Sequence, residues 1–294
     1  MKKKLTGLLV YLVIYLAEFA IGTGIFLIMH KWTGDVVLSI FVSDVITTVF
    51  IWLSSLVMKS PSIYDPYWSV QPLFYYLLLL IYFNNWNLGS LLFLGALSFY
   101  SIRLTVNFIV GFNDIHYVDW RYKMLKEKSG KLFQLVNLFG ICMFPTILVF
   151  AGSIPFIYYA QTVTFNYFQI VGAVVIVVAT LLELIPDIQM KQFIKNRKDR
   201  SETINQGLWK YSRHPNYLGE VMMWYGIALF FLLPSFEKWY FIAGAILITL
   251  LFLFISIPME EKHLKEYKEN YDTYLKTTSV LFILPNKKTK ENED

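Results

Sequence analysis

Between Gly207 and Glu220 the chain reads Gly-Leu-Trp-Lys-Tyr-Ser-Arg-His-Pro-Asn-Tyr-Leu-Gly-Glu, a dense group of polar side chains set between a basic loop and an apolar run. Packing alone gives a hydrophobic chain little reason to gather Lys, Arg, His, Asn, Tyr and Glu so closely, so this stretch is the first candidate for a functional site. Pro215 suits the first turn of a helix, where its missing N–H would have no intrahelical partner anyway. The helix it opens carries Asn216 and Glu220 on one face, four residues apart, into the apolar phase. A second stripe is Tyr100, Arg103 and Asn107, spaced i, i+3, i+7 along one helix face. Such a face can bind an anion or a carbonyl oxygen; equally, Arg103 can pair with one buried carboxylate and hold two helices together. Glu183 and Asp187 lie one turn apart just before the basic loop. Asp65, between Tyr64 and Pro66-Tyr67-Trp68, is pushed into a turn by the proline that follows. Among those aromatics it can serve as a proton donor, or the group can be an ordinary interfacial belt.

The elements that position these groups follow from composition. The chain of 294 residues is 56% hydrophobic and 16% charged, with a mean hydropathy of +0.50, which excludes an ordinary soluble domain. Apolar runs recur at about 5–29, 36–58, 67–84, 88–110, 133–151, 166–186, 217–233 and 239–257, near the ~20 residues a bilayer-spanning helix needs. The third and seventh are short. The expectation is an all-α, polytopic helical membrane protein of seven to eight transmembrane helices, because only helices or closed barrels satisfy their backbone in lipid and no ten-residue alternation marks a barrel. Alternating eight spans places 23 of the 26 Lys and Arg on one side, so both termini are expected in the cytoplasm. The positive net charge is thus a topology signal and no argument for nucleic acid.

The organisation expected is an N-terminal transmembrane hairpin over 1–58, a membrane catalytic domain over 59–285 and a disordered polar tail over 286–294. Met259 to Leu275 reads as a surface helix. Glu18 and Asp44 read as helix-pairing residues inside spans, and the single Cys142 as an apolar-run residue. The basic loop 191–200 has a topological explanation, and a sharper one as a phosphate grip through Lys195, Arg197, Lys198 and Arg200. No metal-ligand spacing, Gly-rich nucleotide fingerprint or Gly-x-Ser-x-Gly motif is present.

The Gly207–Glu220 run with Trp224 and Gly226 resembles the C-terminal signature of bacterial membrane proteins of the steroid 5-alpha-reductase-like superfamily. Asp65-Pro66-Tyr67-Trp68-Ser69, Arg103-Leu104-x-x-Asn107, Asp119-Trp120-Arg121-Tyr122 and the stretch from Thr277-Thr278-Ser279 to Pro285 fit the same group, from about residue 60 to 285. The resemblance implies NADPH bound from the cytoplasmic side and hydride transfer to the β-carbon of an enone in a lipid-soluble, steroid- or polyprenoid-like substrate. It places Asp65 and Tyr100 on the pair that holds the substrate carbonyl. It sets Glu183 and Asp187 on a cofactor-binding pair, and Asn216 on a cofactor-binding Asn. Arg103, Asn107, Arg197, Lys198, Arg213, His214, Tyr217 and Glu220 complete the expected cofactor site. The implied location is the bacterial cytoplasmic membrane, and the oligomeric state is left open. A second family shares the Arg213-His214-Pro215-Asn216-Tyr217 core and the later Glu260-Glu261 pair: isoprenylcysteine carboxyl methyltransferases, whose cofactor is S-adenosylmethionine.

Overall fold

A computed structural model describes residues 2–286, and the tail expected over 286–294 lies outside those residues except for Asn286. The apolar runs close their backbone hydrogen bonds within themselves, as lipid requires, and each becomes a helix. In chain order these are α1 (Lys2–Thr33), α2 (Val36–Met58), α3 (Tyr67–Phe83), α4 (Leu88–Gly111), α5 (Trp120–Ser129), α6 (Phe133–Val136), α7 (Phe144–Tyr159), α8 (Gln169–Asn196), α9 (Pro215–Leu232), α10 (Ala243–Leu251), α11 (Ile257–Lys265) and α12 (Tyr271–Thr277). Short π-helical turns at Asn137–Met143 and Phe252–Ser256 join α6 to α7 and α10 to α11. Among the described residues the extended pairing is a single bridge, Ser212 to Ser279.

Local chemistry sets the ends. Asp35 caps α2 by accepting from Leu38 N–H at 3.0 Å, and Asn87 caps α4 by accepting from Gly89 and Ser90 N–H at 2.8 and 3.2 Å. Pro215 does open α9.

Six helical stretches among the described residues are long and apolar enough to cross a bilayer: Lys3–Thr33, Val36–Met58, Leu88–Gly111, Trp120–Tyr159, Gln169–Asn196 and Phe236–Lys265. The two expected spans outside this set are α3 and α9, at 17 and 18 residues. α9 is nevertheless buried at thirteen of its positions, walled in by α7, α8 and α10. Two boundaries differ from the sequence expectation. α8 continues ten residues beyond Pro186 to Asn196, so most of the basic loop is helix. The stretch from Met259 to Leu275 is two helices, α11 running on from the α10 stack and α12 starting afresh after Asn270 in left-handed backbone.

The main core joins α3, α4, α7, α8 and α9 through Tyr76, Phe93, Phe156, Ile176, Trp224 and Phe230, while Leu, Ile and Val side chains cover the outside. α8 and α9 approach closely because of glycine. A Cβ at Gly219 would fall 2.5 Å from Glu183 Cγ and 2.7 Å from the Ala179 carbonyl oxygen, and one at Gly172 would overlap the Phe230 backbone. The N-terminal hairpin is tied to the rest: Tyr15 donates to the Ile63 carbonyl at 2.8 Å and Gln71 to Glu18 at 3.0 Å.

Candidate functional site

Three helices meet with polar stripes facing one another. α4 contributes Tyr100, Arg103 and Asn107; α8 contributes Glu183, Asp187 and Lys191; α9 contributes Asn216, Glu220 and Trp224. α4 and α8 both end, and α9 begins, at the same end of the bundle. Residues later in α4 and α8, and earlier in α9, are therefore the shallower ones.

At the shallow level Lys191 Nζ donates to Asn107 Oδ1 at 2.5 Å, and Asn107 Nδ2 donates to Asp187 Oδ2 at 3.0 Å. Asn216 Nδ2 reaches the other oxygen of Asp187 at 3.5 Å. One turn deeper, the Arg103 guanidinium forks between two carboxylates, with one nitrogen on Glu183 and the other 2.5 Å from Asp187 Oδ2. Of the two alternatives raised for Arg103, the structure shows the pairing, with two buried carboxylates instead of one, inside the candidate site. Deepest lies Glu220, whose Oε1 accepts from three donors, Tyr100 O–H at 2.8 Å, Trp68 N–H at 2.7 Å and Trp224 N–H at 2.9 Å. Tyr100 is fully buried and Glu220 nearly so.

The network is left open at defined points. Arg103 Nε, Glu183 Oε1 and Asn216 Oδ1 are buried with no hydrogen-bond partner. One donor and two acceptors are therefore unspent beside the ladder, in a region where unpaired polar atoms are costly. A primary amide, with two N–H donors and a carbonyl acceptor, or the paired hydroxyls of a sugar diol, matches that set; a phosphate, which only accepts near neutral pH, does not.

The rest of the Gly207–Glu220 signature faces elsewhere. Arg213 Nε and His214 Nε2 both lie 3.1 Å from Glu261 Oε1, Arg213 Nη1 donates to the Leu275 carbonyl at 2.6 Å, and Tyr217 hydrogen-bonds Glu260. The His214 and Tyr217 rings stack with centroids 5.3 Å apart. These contacts fasten the start of α9 to α11 and α12, helped by Tyr274 O–H donating to the Trp209 carbonyl at 2.6 Å. Arg213, His214 and Tyr217, expected to hold cofactor, are thus held by Glu260 and Glu261. Arg197 and Lys198 follow the end of α8; Lys198 is exposed, and its backbone N–H donates to Glu202 at 2.9 Å.

Asp65 is likewise not where the expected carbonyl-holding pair needs it. Its Oδ1 accepts from Tyr122 O–H at 2.5 Å, beside the Arg121–Asp119 ion pair, whereas the hydrogen bond of Tyr100 goes to Glu220. Burial pushes the Asp65 carboxyl up to about 6, ahead of the opposing pulls of Arg121 and of the Tyr122 hydrogen bond. The reason for the split is helical phase. Asp65 precedes α3, while Trp68, three residues on, points inward and delivers its N–H to Glu220. The Asp65–Ser69 motif therefore does reach Tyr100's neighbourhood, through Trp68 instead of Asp65. Lys191 and Trp68 were not among the expected site residues; Lys191 at i+8 from Glu183 continues that stripe and was readable by spacing.

What fold and site define together is an all-helical, multi-pass membrane protein with a buried ladder of acids, amides and an arginine at one end of its bundle. The chain belongs to the family described as protein of unknown function (DUF1295), which it matches over residues 51–278. The match begins inside α2 and takes in all three stripes. No curated protein and no solved structure matches the chain.

Proposed function

We propose that this chain is a membrane-embedded, NADPH-dependent reductase of a conjugated carbon–carbon double bond in a lipid-soluble, steroid- or polyprenoid-like enone. The observation that carries the reading is the fully buried Tyr100 O–H held against the Glu220 carboxyl, at the deep end of a polar ladder with open valences. The sequence resemblance to steroid 5-alpha-reductase-like proteins supports it. With eight helices crossing the bilayer and both termini in the cytoplasm, the shallow end of the ladder faces the cytoplasmic pool of cofactor, and the deep end faces lipid-borne substrate. A bacterial cytoplasmic membrane is the setting the resemblance implies.

The unspent groups on Arg103, Glu183 and Asn216 suit the carboxamide or ribose of a nicotinamide cofactor, and Lys191, Arg197 and Lys198 stand on the side where its phosphates would be. When bound, NADPH supplies the hydride that adds to the enone β-carbon. The chain's own residues manage the oxygen and the proton. On substrate binding the Tyr100 O–H, which in the structure donates to Glu220, turns to the substrate carbonyl, and a proton on Glu220 then donates to the Tyr100 oxygen in its place. A positioned donor of this kind stabilises the developing enolate in a water-poor site, where such interactions are strong. The indole N–H groups of Trp68 and Trp224 hold the Glu220 carboxyl in place. A proton from solvent then adds at the α-carbon as the substrate O–H returns its proton through Tyr100 to Glu220, so the net change is one hydride from the cofactor and one proton from solvent. In this mechanism Tyr100 and Glu220 are catalytic, and Asp65 keeps a place in a separate cluster with Tyr122.

One observation favours a second reading. Glu260 and Glu261 close on Tyr217, Arg213 and His214, the two motifs shared with isoprenylcysteine carboxyl methyltransferases. Thermal unfolding of the detergent-purified protein with NADPH, NADH, S-adenosylmethionine or no ligand separates the two, since a ligand binding only the folded state raises the midpoint. A rise with NADPH that Asn216→Ala weakens supports the reductase. A rise with S-adenosylmethionine alone replaces it with methyl transfer, and no rise with any of the three refutes both.

A further inference from the structure

A cavity of about 360 Å³ lies away from the ladder, where the end of α2 meets the Pro61–Tyr64 turn, α5 and α6. The residues lining it include three lysines, Lys59, Lys123 and Lys126, and no Asp or Glu. Leu56, Pro61 and Phe133 supply an apolar floor, and the buried Asn137, which donates to Ser55 Oγ at 3.0 Å, closes one side. None of the three lysines is in an ion pair among the described residues. Lys126 Nζ lies 5.9 Å from the centroid of the Phe133 ring.

A preference for basic residues at this end of the bundle accounts for the number of lysines, and not for their convergence. They come from two separate segments, the α2 terminus and α5, onto one concavity with no counter-charge. Lys59 is held in left-handed backbone, φ 54°, with its N–H closing the end of α2. That position normally favours glycine, and here it carries a long cationic side chain at the cavity rim. The residues flanking the cavity are also informative. Val57, Leu132 and Leu135 are exposed and apolar, so hydrocarbon would lie directly beside the cationic recess.

We propose that this cavity binds a phosphate group, as the headgroup of an anionic membrane phospholipid whose acyl chains lie along Val57, Leu132 and Leu135. Three ammonium donors converging on one phosphate give point-charge recognition without a fixed fork, which suits a headgroup of variable orientation. The apolar flank distinguishes a lipid from free phosphate. The site is separate from the proposed reductase chemistry: it shares no residue with the Tyr100–Glu220 ladder.

The test uses the full-length protein in neutral detergent. Thermal midpoints are measured with added phosphatidylglycerol micelles, phosphatidylcholine micelles or inorganic phosphate, and co-purified lipid phosphorus is assayed directly. The wild-type protein is expected to be stabilised by phosphatidylglycerol and not by phosphatidylcholine. Combined Lys59→Gln, Lys123→Gln and Lys126→Gln should lower its apparent affinity at least tenfold and reduce co-purified phosphorus. These lysines are exposed and unpaired, so the variant should fold, and its midpoint without lipid checks this. Lys128→Gln, Lys262→Gln and Lys276→Gln, an equal charge change elsewhere, should leave the response intact. An equal response to inorganic phosphate would identify free phosphate as the ligand and overturn the lipid assignment. A phosphatidylglycerol response unchanged in the cavity variant, or lost equally in the control, overturns the site.

Discussion

Replacing Arg103 by Met tests whether the ladder is electrostatically coupled as its geometry requires. Arg103 and Glu183 side chains are 6% and 3% exposed, so neither can recover much hydration if the pair is broken. Asp187, at 18%, keeps two other donors: Asn107 Nδ2 at 3.0 Å and Asn216 Nδ2 at 3.5 Å. Glu183 keeps no side-chain donor from the hydrogen bonds seen here, because Arg103 is its partner and its other oxygen is already unpaired. Removing one member of a buried ion pair costs about 3–5 kcal/mol, and the loss falls mainly on Glu183. At ~2–4 °C per kcal/mol, the unfolding midpoint in detergent should drop on the order of 10 °C. Glu183→Gln in the Arg103→Met background should recover at least half of that drop, since an amide needs no cation. Arg103→Lys should fall between, because a single ammonium cannot fork to two carboxylates. A midpoint for Arg103→Met within about 2 °C of wild type would refute the argument, as would a double variant no more stable than the single, since buried paired charges should show coupling.

Glu220→Ala strands the Tyr100, Trp68 and Trp224 donors, each costing about 1–3 kcal/mol if left unsatisfied, so the midpoint should fall sharply. Glu220→Gln keeps an acceptor oxygen and should fold, but it removes the exchangeable proton and should cut enone turnover about 10²-fold or more; retained turnover would remove Glu220 from the chemistry. Gly219→Ala drives a methyl group into Glu183 Cγ and the Ala179 carbonyl, an overpacking worth about 1–3 kcal/mol, measurable as a lower midpoint and weaker cofactor stabilisation. Asp65 gives a pH signature. Its folded carboxyl, raised to about 6 from 3.8, binds a proton that the unfolded chain has already released, so its contribution to stability is present at low pH and is lost as pH rises through that window. Asp65→Asn should therefore gain on wild type between pH 4 and pH 7 in midpoint measurements; a difference independent of pH would refute the assignment.

The helical class was legible because apolar runs of bilayer length have few other destinies, and each of the eight runs became a helix. Their ends were less legible. Pro186 marks where α8 leaves the apolar run, yet the helix continues because Lys191 and Lys195 are good helix formers in water; hydropathy locates a membrane boundary, and a helix boundary need not coincide with it. The site divides in the same way. The stripes Tyr100–Arg103–Asn107, Glu183–Asp187 and Asn216–Glu220 could be read one by one, since a 3.6-residue period puts i, i+3 and i+4 on one face. How the stripes register against one another could not. Tyr100 lies ~10 Å deeper along α4 than Asn107, whereas Glu220 lies only ~6 Å deeper along α9 than Asn216, by the helical rise. The Tyr100 and Glu220 side chains bridge that offset with a direct hydrogen bond between α4 and α9. A carboxylate near Tyr100 was expected, and Asp65 was the nearest choice in motif order. Whether Asp65 or Glu220 meets Tyr100 depends on which carboxylate shares its depth and face, and that is set by tertiary packing between helices distant in sequence. The motif around Asp65 contributes through Trp68, whose indole fills the third donor position on Glu220. A search for acids with several buried donors within reach, applied across helices, would have ranked Glu220 above Asp65.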